Sequence, residues 1–231
     1  YHKYTTSAAK NTTPQAKIYG LAVCVATKSH NFQLTGEYIE PNAEALQENR
    51  EIFAAHSAAA RAATEDKLYK EHKFAHALFS CASFQGNQRL KNELTGTFLA
   101  VLDFDRQLNG YEISLLQDSP HLVELVRTGS GWHAIFLIEP NTEGDAANIR
   151  LTHAHTVRAI AESIGIDDWD THSTEAERVY FLWHDAQAVV NEEPIPFPLS
   201  RVNTEKLPCY DTDQDRTFGT DLNITEDAII R

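Results

Sequence analysis

The chain has 231 residues, of which 42% are hydrophobic and 23% charged. This length provides for one substantial core and is too short for two full domains. With 33 acidic against 20 basic residues, the formal charge of −13 argues against a protein that coats duplex DNA through bulk positive charge. No run approaches the roughly 18 apolar residues of a membrane span, so no membrane partner is expected.

Cysteine usage and the N-terminal residues bear on the cellular compartment. Cys24, Cys81 and Cys209 are far apart and odd in number, which fits neither a disulfide framework nor a paired-cysteine zinc site. No zinc is therefore expected. The first residues contain no apolar run of the kind found in signal peptides. Together these features predict a reducing, cytoplasmic setting.

The predicted elements, in chain order, mix short apolar runs with helix-favouring stretches. Runs rich in β-formers predict strands at 17–26, 74–80, 97–104, 122–127, 132–139 and 179–183. Composition and helical spacing predict one or two helices within 43–73, a short helix around 113–117, and a helix over 148–164 that ends at Gly165. The sequence TGSG at 128–131 predicts a hairpin turn. Strands joined by hairpins rather than by regular βαβ units favour the α+β class.

Four segments lack the pattern of a central strand or a helix. Residues 83–93 are polar, and residues 191–198 contain three prolines. Residues 1–16 predict a loose lead-in, and the acidic residues 202–231 predict a peripheral arm or the start of a linker. The folded domain is therefore predicted to span residues 17–201.

The strongest chemical motif is a pair of aspartates at the end of the most apolar strand. Asp103 and Asp105 lie two residues apart, so strand geometry places both side chains on one face. Carboxylates this close repel each other unless a cation lies between them, and hard divalent cations take oxygen ligands. Without metal, removal of one carboxylate is then expected to raise the melting temperature. The alternative is a strand end with two solvated acids.

Two further motifs carry polar side chains suited to phosphate or metal. In the 128–133 segment, small residues let backbone N–H groups approach an anion, and Ser130 and His133 add side-chain donors. A tight hairpin with an incidental histidine is the alternative. Farther along, Asp170 is followed eight residues later by Arg178, a set that would complete a metal cluster and hold a phosphate. An ordinary charged surface is the alternative there.

The order and spacing of these motifs resemble a known enzyme superfamily. An apolar strand ending in DFD (103–105), TGSGWH (128–133), Asp170 with Arg178, FLWHD (181–185) and PIPF (194–197) resemble the catalytic core of the archaeo-eukaryotic primase superfamily. Within it, the chain is most similar to the primase-like domain of bacterial and phage proteins called the VirE N-terminal family. The resemblance covers roughly residues 74–197.

The resemblance implies a fold and a set of site residues. It implies an RRM-like sheet as catalytic core, with an accessory α/β subdomain packed against it and the active site between them. By correspondence with the family's motifs, the metal-binding catalytic residues are Asp103, Asp105 and Asp170, with Asp168 as a possible alternative ligand. The corresponding nucleotide-binding residues are Ser130, Gly131, His133 and Arg178 and, more loosely, Arg89 and Lys91, whose alternative is two solvated bases.

The resemblance also implies an activity and partners. The activity is template-dependent nucleotidyl transfer by a DNA primase or primer-extending DNA polymerase, using two Mg²⁺ or Mn²⁺ ions. The partners are dNTP or NTP, a single-stranded DNA template with its primer, and a helicase, fused or separate.

Two alternative functions remain open. His153 and His155 match the His-x-His motif of HUH nucleases, but those histidines lie on a strand, whereas here the apolar spacing is helical. A primase-like domain that has lost its chemistry and acts as a binding module is another alternative.

The net negative charge is unusual for a template-binding enzyme. A basic lane is conceivable on a predicted helix (Arg61, Lys67, Lys70 and Lys73), but that helix also carries acids, which favour the interpretation as a solvated face.

Overall fold

The computed structural model describes residues 22–26, 32–34, 50–51, 53–76, 78–85 and 89–199. The predicted lead-in (1–16) and acidic arm (202–231) lie outside these residues. The described strands are β1 (Ala22–Ala26), β2 (Phe32–Leu34), β3 (Leu78–Ser80), β4 (Ala82–Phe84), β5 (Leu94–Phe104), β6 (Leu122–Arg127), β7 (Trp132–Asn141), β8 (Val179–Phe181) and β9 (Val189–Val190). The described helices are α1 (Ala54–Ala62), α2 (Asp66–Phe74), α3 (Gly110–Gln117) and α4 (Ala146–Ile164), with 3₁₀ turns at Lys91–Glu93 and Thr171–Thr174.

These strands form two antiparallel sheets. The larger sheet has the order β4-β5-β7-β6-β9, and the smaller has the order β2-β1-β3-β8. The β6–β7 hairpin, with its turn at 128–131, is the one that the sequence predicts. Strands, hairpins and helices mixed in this way confirm the α+β class.

Alternation along β5 divides the core between two layers. Ala100, Leu102 and Phe104 face one side and belong to a cluster that includes residues of α3 and α4. Leu99 and Val101 face the other side, where they join residues of β3 and β8 in the smaller sheet. Because side chains alternate along a strand, Asp103 lies on the same side as the second set. The chain thus carries a carboxylate to the end of the interface between the two sheets.

Local sequence accounts for the ends of the helices around this core. Asn109 and Glu112 form a capping box at the start of α3, and the Asp145 side chain accepts a hydrogen bond from the Asn148 N–H at the start of α4. Gly165 ends α4 in the left-handed conformation, with φ of 79°. This confirms the predicted end of the helix, because a residue with a Cβ atom is strained at that φ value.

Several predicted boundaries differ from the structure. The strand expected over 74–80 begins only at Leu78, because α2 continues to Phe74. Phe74 was included in the strand because it is apolar, but its side chain is exposed at the end of the helix. The polar segment 83–93 overlaps β4, which at three residues is too short to show periodicity. Finally, β8 ends at Phe181, two residues before the predicted end.

Among the described helices, none is long and apolar enough to cross a membrane.

Candidate nucleotide and metal site

The pairing of β5 with β7 creates the centre of the candidate site. Asp103 and His133 are direct partners in register, and His133 Nε2 lies 3.4 Å from Asp103 Oδ1. Both side chains are largely buried. The DFD and TGSGWH motifs therefore meet at the same end of the larger sheet.

Arg178, which immediately precedes β8, joins two of the predicted carboxylates. Its Nη2 atom lies 3.1 Å from Asp103 Oδ2 and 2.8 Å from Asp170 Oδ2. The Arg178 guanidinium also stacks on the ring of Tyr180, with Cζ 5.5 Å from the ring centroid. These contacts fix the plane of the guanidinium and therefore the directions in which its other N–H donors point.

Asp170 is positioned by its own backbone. Its N–H donates to the carbonyl oxygen of Asp103 at 2.7 Å, and its side chain accepts from the N–H of His172 at the start of the 171–174 turn. Ser173 Oγ in turn accepts a hydrogen bond from the N–H of Asp103. The two predicted metal-ligand segments are thus bonded to each other through the main chain.

The surroundings stabilise the charged forms of Asp103 and Arg178. Burial by itself would raise the pKa of Asp103, but His133, Arg178 and Lys73 outweigh it, and the net pKa is lowered. Burial likewise works to lower the pKa of Arg178, but Tyr180, Asp170 and Asp103 raise it overall. The site therefore contains an ionised carboxylate held among cationic groups.

A cavity of about 110 Å³ opens beside these groups. Its lining joins residues from α2, β5, the 128–131 turn and β8: Tyr69, Lys73, Asp103, Asp105, Thr128, Ser130, His133, Arg178, Val179, Tyr180, Phe181 and Trp183. Asp103, on β5, and Asp105, just beyond the last residue of β5, both border it. Asp170 is not part of the lining and connects to it through Arg178.

The 128–131 turn has a different internal structure from the one expected. The N–H groups of Ser130 and Gly131 both donate to Thr128 Oγ1, at 3.3 and 2.8 Å. These two donors are therefore already engaged rather than presented to an anion. A Cβ atom on Gly131 would overlap the carbonyl oxygen of Phe104, so this glycine allows the turn to approach β5 closely.

Three other predicted residues lie away from the cavity lining. Arg89 donates to the backbone carbonyl of Glu177, and Lys91 Nζ lies 3.5 Å from the Glu177 carboxylate. Both therefore contact the residue that precedes Arg178. Asp168 is exposed and forms an ion pair with Arg106 at 2.8 Å.

The histidine pair of the HUH alternative lies on α4. His153 is completely buried, and burial lowers its pKa to about 4. A helical setting does not give the strand arrangement that this alternative requires, so the HUH interpretation is set aside.

The sequence pattern does not identify Tyr69 as a site residue, and it includes Lys73 only in a conceivable basic lane. Both lie on α2, whose Lys70 forms the expected exposed ion pair with Asp66 at 2.7 Å. Lys73 instead turns to the cavity, where its Nζ lies over the rings of Tyr69 and Phe181. Only the position of α2 beside β8 distinguishes Lys73 from its solvated neighbours.

The donor set suits a hard cation that also binds substrate. Among the described residues, no three metal-ligating side chains form a ready-made group. Mg²⁺, however, commonly binds through one or two carboxylates together with substrate phosphates, and keeps several waters. Asp103 and Asp105 offer oxygen ligands of this kind at the border of one cavity.

Comparisons with known proteins give one structural likeness. No known protein family and no curated protein matches the chain. Among solved structures, the chain is similar to the AEP domain of the primase-polymerase (PrimPol) of cyanophage S-2L, with 12% sequence identity and a TM-score of 0.39. The match covers 60% of this chain and 75% of that one.

Proposed function

We propose that the domain is a metal-dependent nucleotidyltransferase that extends a primer on a single-stranded DNA template. The observation that carries the proposal is the convergence of Asp103, Asp105, His133, Arg178 and Lys73 on one cavity. Two carboxylates facing three nitrogen side chains suit a triphosphate that arrives with divalent cations. The motif order of the archaeo-eukaryotic primase superfamily agrees with this assignment.

In this proposal, each group has a defined role. The 3′-hydroxyl of the primer attacks the α-phosphate of a bound nucleotide, a new phosphodiester bond forms, and pyrophosphate leaves. Asp103, Asp105 and Asp170 would hold two Mg²⁺ or Mn²⁺ ions, which when bound lower the pKa of the attacking hydroxyl and neutralise phosphate charge. Asp170 Oδ1 is held by the N–H of His172, and Asp170 Oδ2 would be available as a ligand if Arg178 turned from it towards phosphate.

The cationic side of the cavity would hold the triphosphate. Arg178 presents a planar fork that matches phosphate oxygens, and Lys73 supplies a second positive charge. His133, whose Nε2 lies 3.4 Å from Asp103 Oδ1, borders the same cavity and would donate to a phosphate oxygen and orient it.

A template-dependent incorporation assay tests the proposal. The purified protein is given a primed single-stranded template, labelled dNTP or NTP, and Mg²⁺ or Mn²⁺. Asp103→Asn is expected to lower incorporation by at least about a hundredfold because it removes one of the carboxylates that would hold the metal ions. Asp118→Asn, which removes an exposed acid at the end of α3, is the matched control and keeps wild-type activity.

The same assay separates the alternative functions. Nucleotide and template binding without incorporation would return the domain to the role of a binding module. Equal incorporation by the wild type and by Asp103→Asn at saturating metal would rule out the proposed chemistry.

A further inference from the structure

A group of aromatic side chains, two of them half-buried and one exposed, continues outward from the cavity. It consists of Tyr69 and Phe74 on α2 and Phe181 on β8, with Lys73 beside them, and we refer to these four residues as the aromatic platform. Phe74 is 61% exposed, although it packs edge-on against Phe181 with ring centroids 5.8 Å apart. Exposure of a large aromatic ring next to a candidate site often marks a binding surface.

Charge and aromatic surface coincide on the platform. Lys73 Nζ lies 5.2 Å from the ring centroid of Phe181 and 5.7 Å from that of Tyr69. Tyr69, Lys73 and Phe181 also border the cavity, whereas Phe74 lies outside its lining. The platform therefore runs without interruption from the proposed nucleotide site to the protein surface.

Helix α2, which carries three of the four platform residues, is anchored together with the neighbouring α1. Ala60 of α1 is buried against Trp183 and Val126, and Tyr69 packs against the same cluster. The hydroxyl of Ser57 links α1 to the residues that follow β8 and α2, through the N–H of His184 and the ring of His76. Phe74 is thus held in place on a supported element rather than on a free chain end.

From this arrangement we infer that the platform stacks an unpaired base of single-stranded nucleic acid beside the nucleotide site. A flat aromatic face accepts any base, and the positive charge of Lys73 at the edge of the cavity favours an anionic strand as well as the triphosphate. A paired base within a duplex does not expose its face, so the partner is a single strand. The inference rests on the proposed function, and it identifies the template strand as the occupant.

Oligonucleotide binding tests the inference apart from catalysis. Affinity for a fluorescein-labelled oligothymidylate is measured by anisotropy without metal. Phe74→Ala is expected to weaken binding about tenfold, as loss of one stacked base does. Phe74→Tyr keeps a flat ring and should restore the affinity. Tyr111→Ala removes an even more exposed aromatic ring on α3 and serves as the control.

An abasic oligonucleotide of the same length separates stacking from charge. Wild-type protein is expected to bind it about as weakly as Phe74→Ala binds oligothymidylate, and Phe74→Ala should scarcely distinguish the two strands. Thermal melting checks that each variant is folded.

The outcomes distinguish the two proposals. If the wild type incorporates nucleotides and Phe74→Ala binds oligothymidylate as tightly as the wild type, the platform inference alone is overturned. An equal loss in Tyr111→Ala overturns it as well. If the wild type neither incorporates nucleotides nor binds the oligonucleotide, both proposals fail.

Discussion

Asp103 and His133 are opposite partners on β5 and β7, and their side chains approach to 3.4 Å between Oδ1 and Nε2. This contact joins two motifs that are separate in the sequence. It also contributes, with Arg178 and Lys73, to the lowered pKa of Asp103.

The first prediction concerns the stability contributed by Asp103. Because its pKa is lower in the folded than in the unfolded protein, its ionisation stabilises the fold above the unfolded value near 3.8. This contribution is lost as the pH falls through the folded pKa. Asp103→Asn should therefore lower the free energy of unfolding by about 1–2 kcal/mol at neutral pH. The difference should shrink in acid, as followed by urea unfolding at both pH values.

This result would reverse the expectation from sequence that loss of one carboxylate stabilises the metal-free protein. Burial of Asp103 is opposed by His133, Arg178 and Lys73, which favour the charged carboxylate and lower its pKa overall. A melting temperature of Asp103→Asn above that of the wild type would show instead that repulsion dominates. Asp118→Asn controls for the general loss of one negative charge.

The second prediction concerns His133 and nucleotide affinity. A hydrogen bond to a charged phosphate is worth about 1.5–3 kcal/mol, so His133→Ala should weaken nucleotide binding at least about tenfold. Calorimetric titration with dNTP and metal measures this, with melting curves as a check of the fold. His121→Ala removes a histidine outside the cavity lining and should bind normally. Wild-type nucleotide affinity in His133→Ala would show that His133 does not bind the nucleotide and is only a residue of β7.

The third prediction concerns the buried His153. Burial lowers its pKa to about 4, from an ordinary value of 6.5. Between these values the unfolded chain binds a proton that the folded protein excludes, so stability falls as the pH decreases through this window. The gap corresponds to a loss of about 3 kcal/mol when complete.

His153→Leu should remove this part of the pH dependence whatever its effect on stability at neutral pH. The free energy of unfolding is measured at intervals between neutral and acid pH for the wild type, His153→Leu and His121→Gln. The exposed-histidine variant should keep the wild-type slope. A wild-type slope in His153→Leu would contradict the assignment to His153.

The fourth prediction compares two glycines. A Cβ atom at Gly131 would overlap the carbonyl oxygen of Phe104, so Gly131→Ala requires a backbone shift between the turn and β5. We expect a loss of about 3 kcal/mol in the free energy of unfolding. A Cβ atom at Gly110, the first residue of α3, meets no atom within 4 Å of it. Gly110→Ala should be neutral or stabilising by up to about 1 kcal/mol. Equal effects would show that the turn accommodates the extra atom.

The sequence predicted those site residues whose positions depend on interactions between residues close together in the chain. Strand alternation placed Asp103, whereas Asp105 lies just beyond the last residue of β5, and His133 was placed by a hairpin whose turn residues are local. These features depend on a few neighbouring residues. The motif order then supplied Asp170 and Arg178, which local pattern alone did not connect to the strand.

What the sequence did not predict depends on tertiary placement. Lys73 and the solvated Lys70 have similar neighbours in the sequence. Only the packing of α2 against β8 directs the Lys73 side chain to the cavity. In the same way, Thr128 Oγ1 takes the N–H groups that the turn was expected to offer. Hydroxyl orientation and helix docking leave no periodic trace in a sequence.

The last prediction concerns a buried ion pair that no motif indicated. Arg50 and Glu124 are each about 1% exposed and pair with each other, Glu124 lying on β6. Burial raises the pKa of Glu124 against the opposing effect of Arg50. Since removal of one partner leaves the other charge buried, Glu124→Leu should cost about 3–5 kcal/mol of stability. Adding Arg50→Met should recover most of this loss, because an apolar pair of similar volume avoids the desolvation of both charges. A double-mutant cycle by urea unfolding measures the coupling, and strictly additive losses would mean that the pair does not act as a unit.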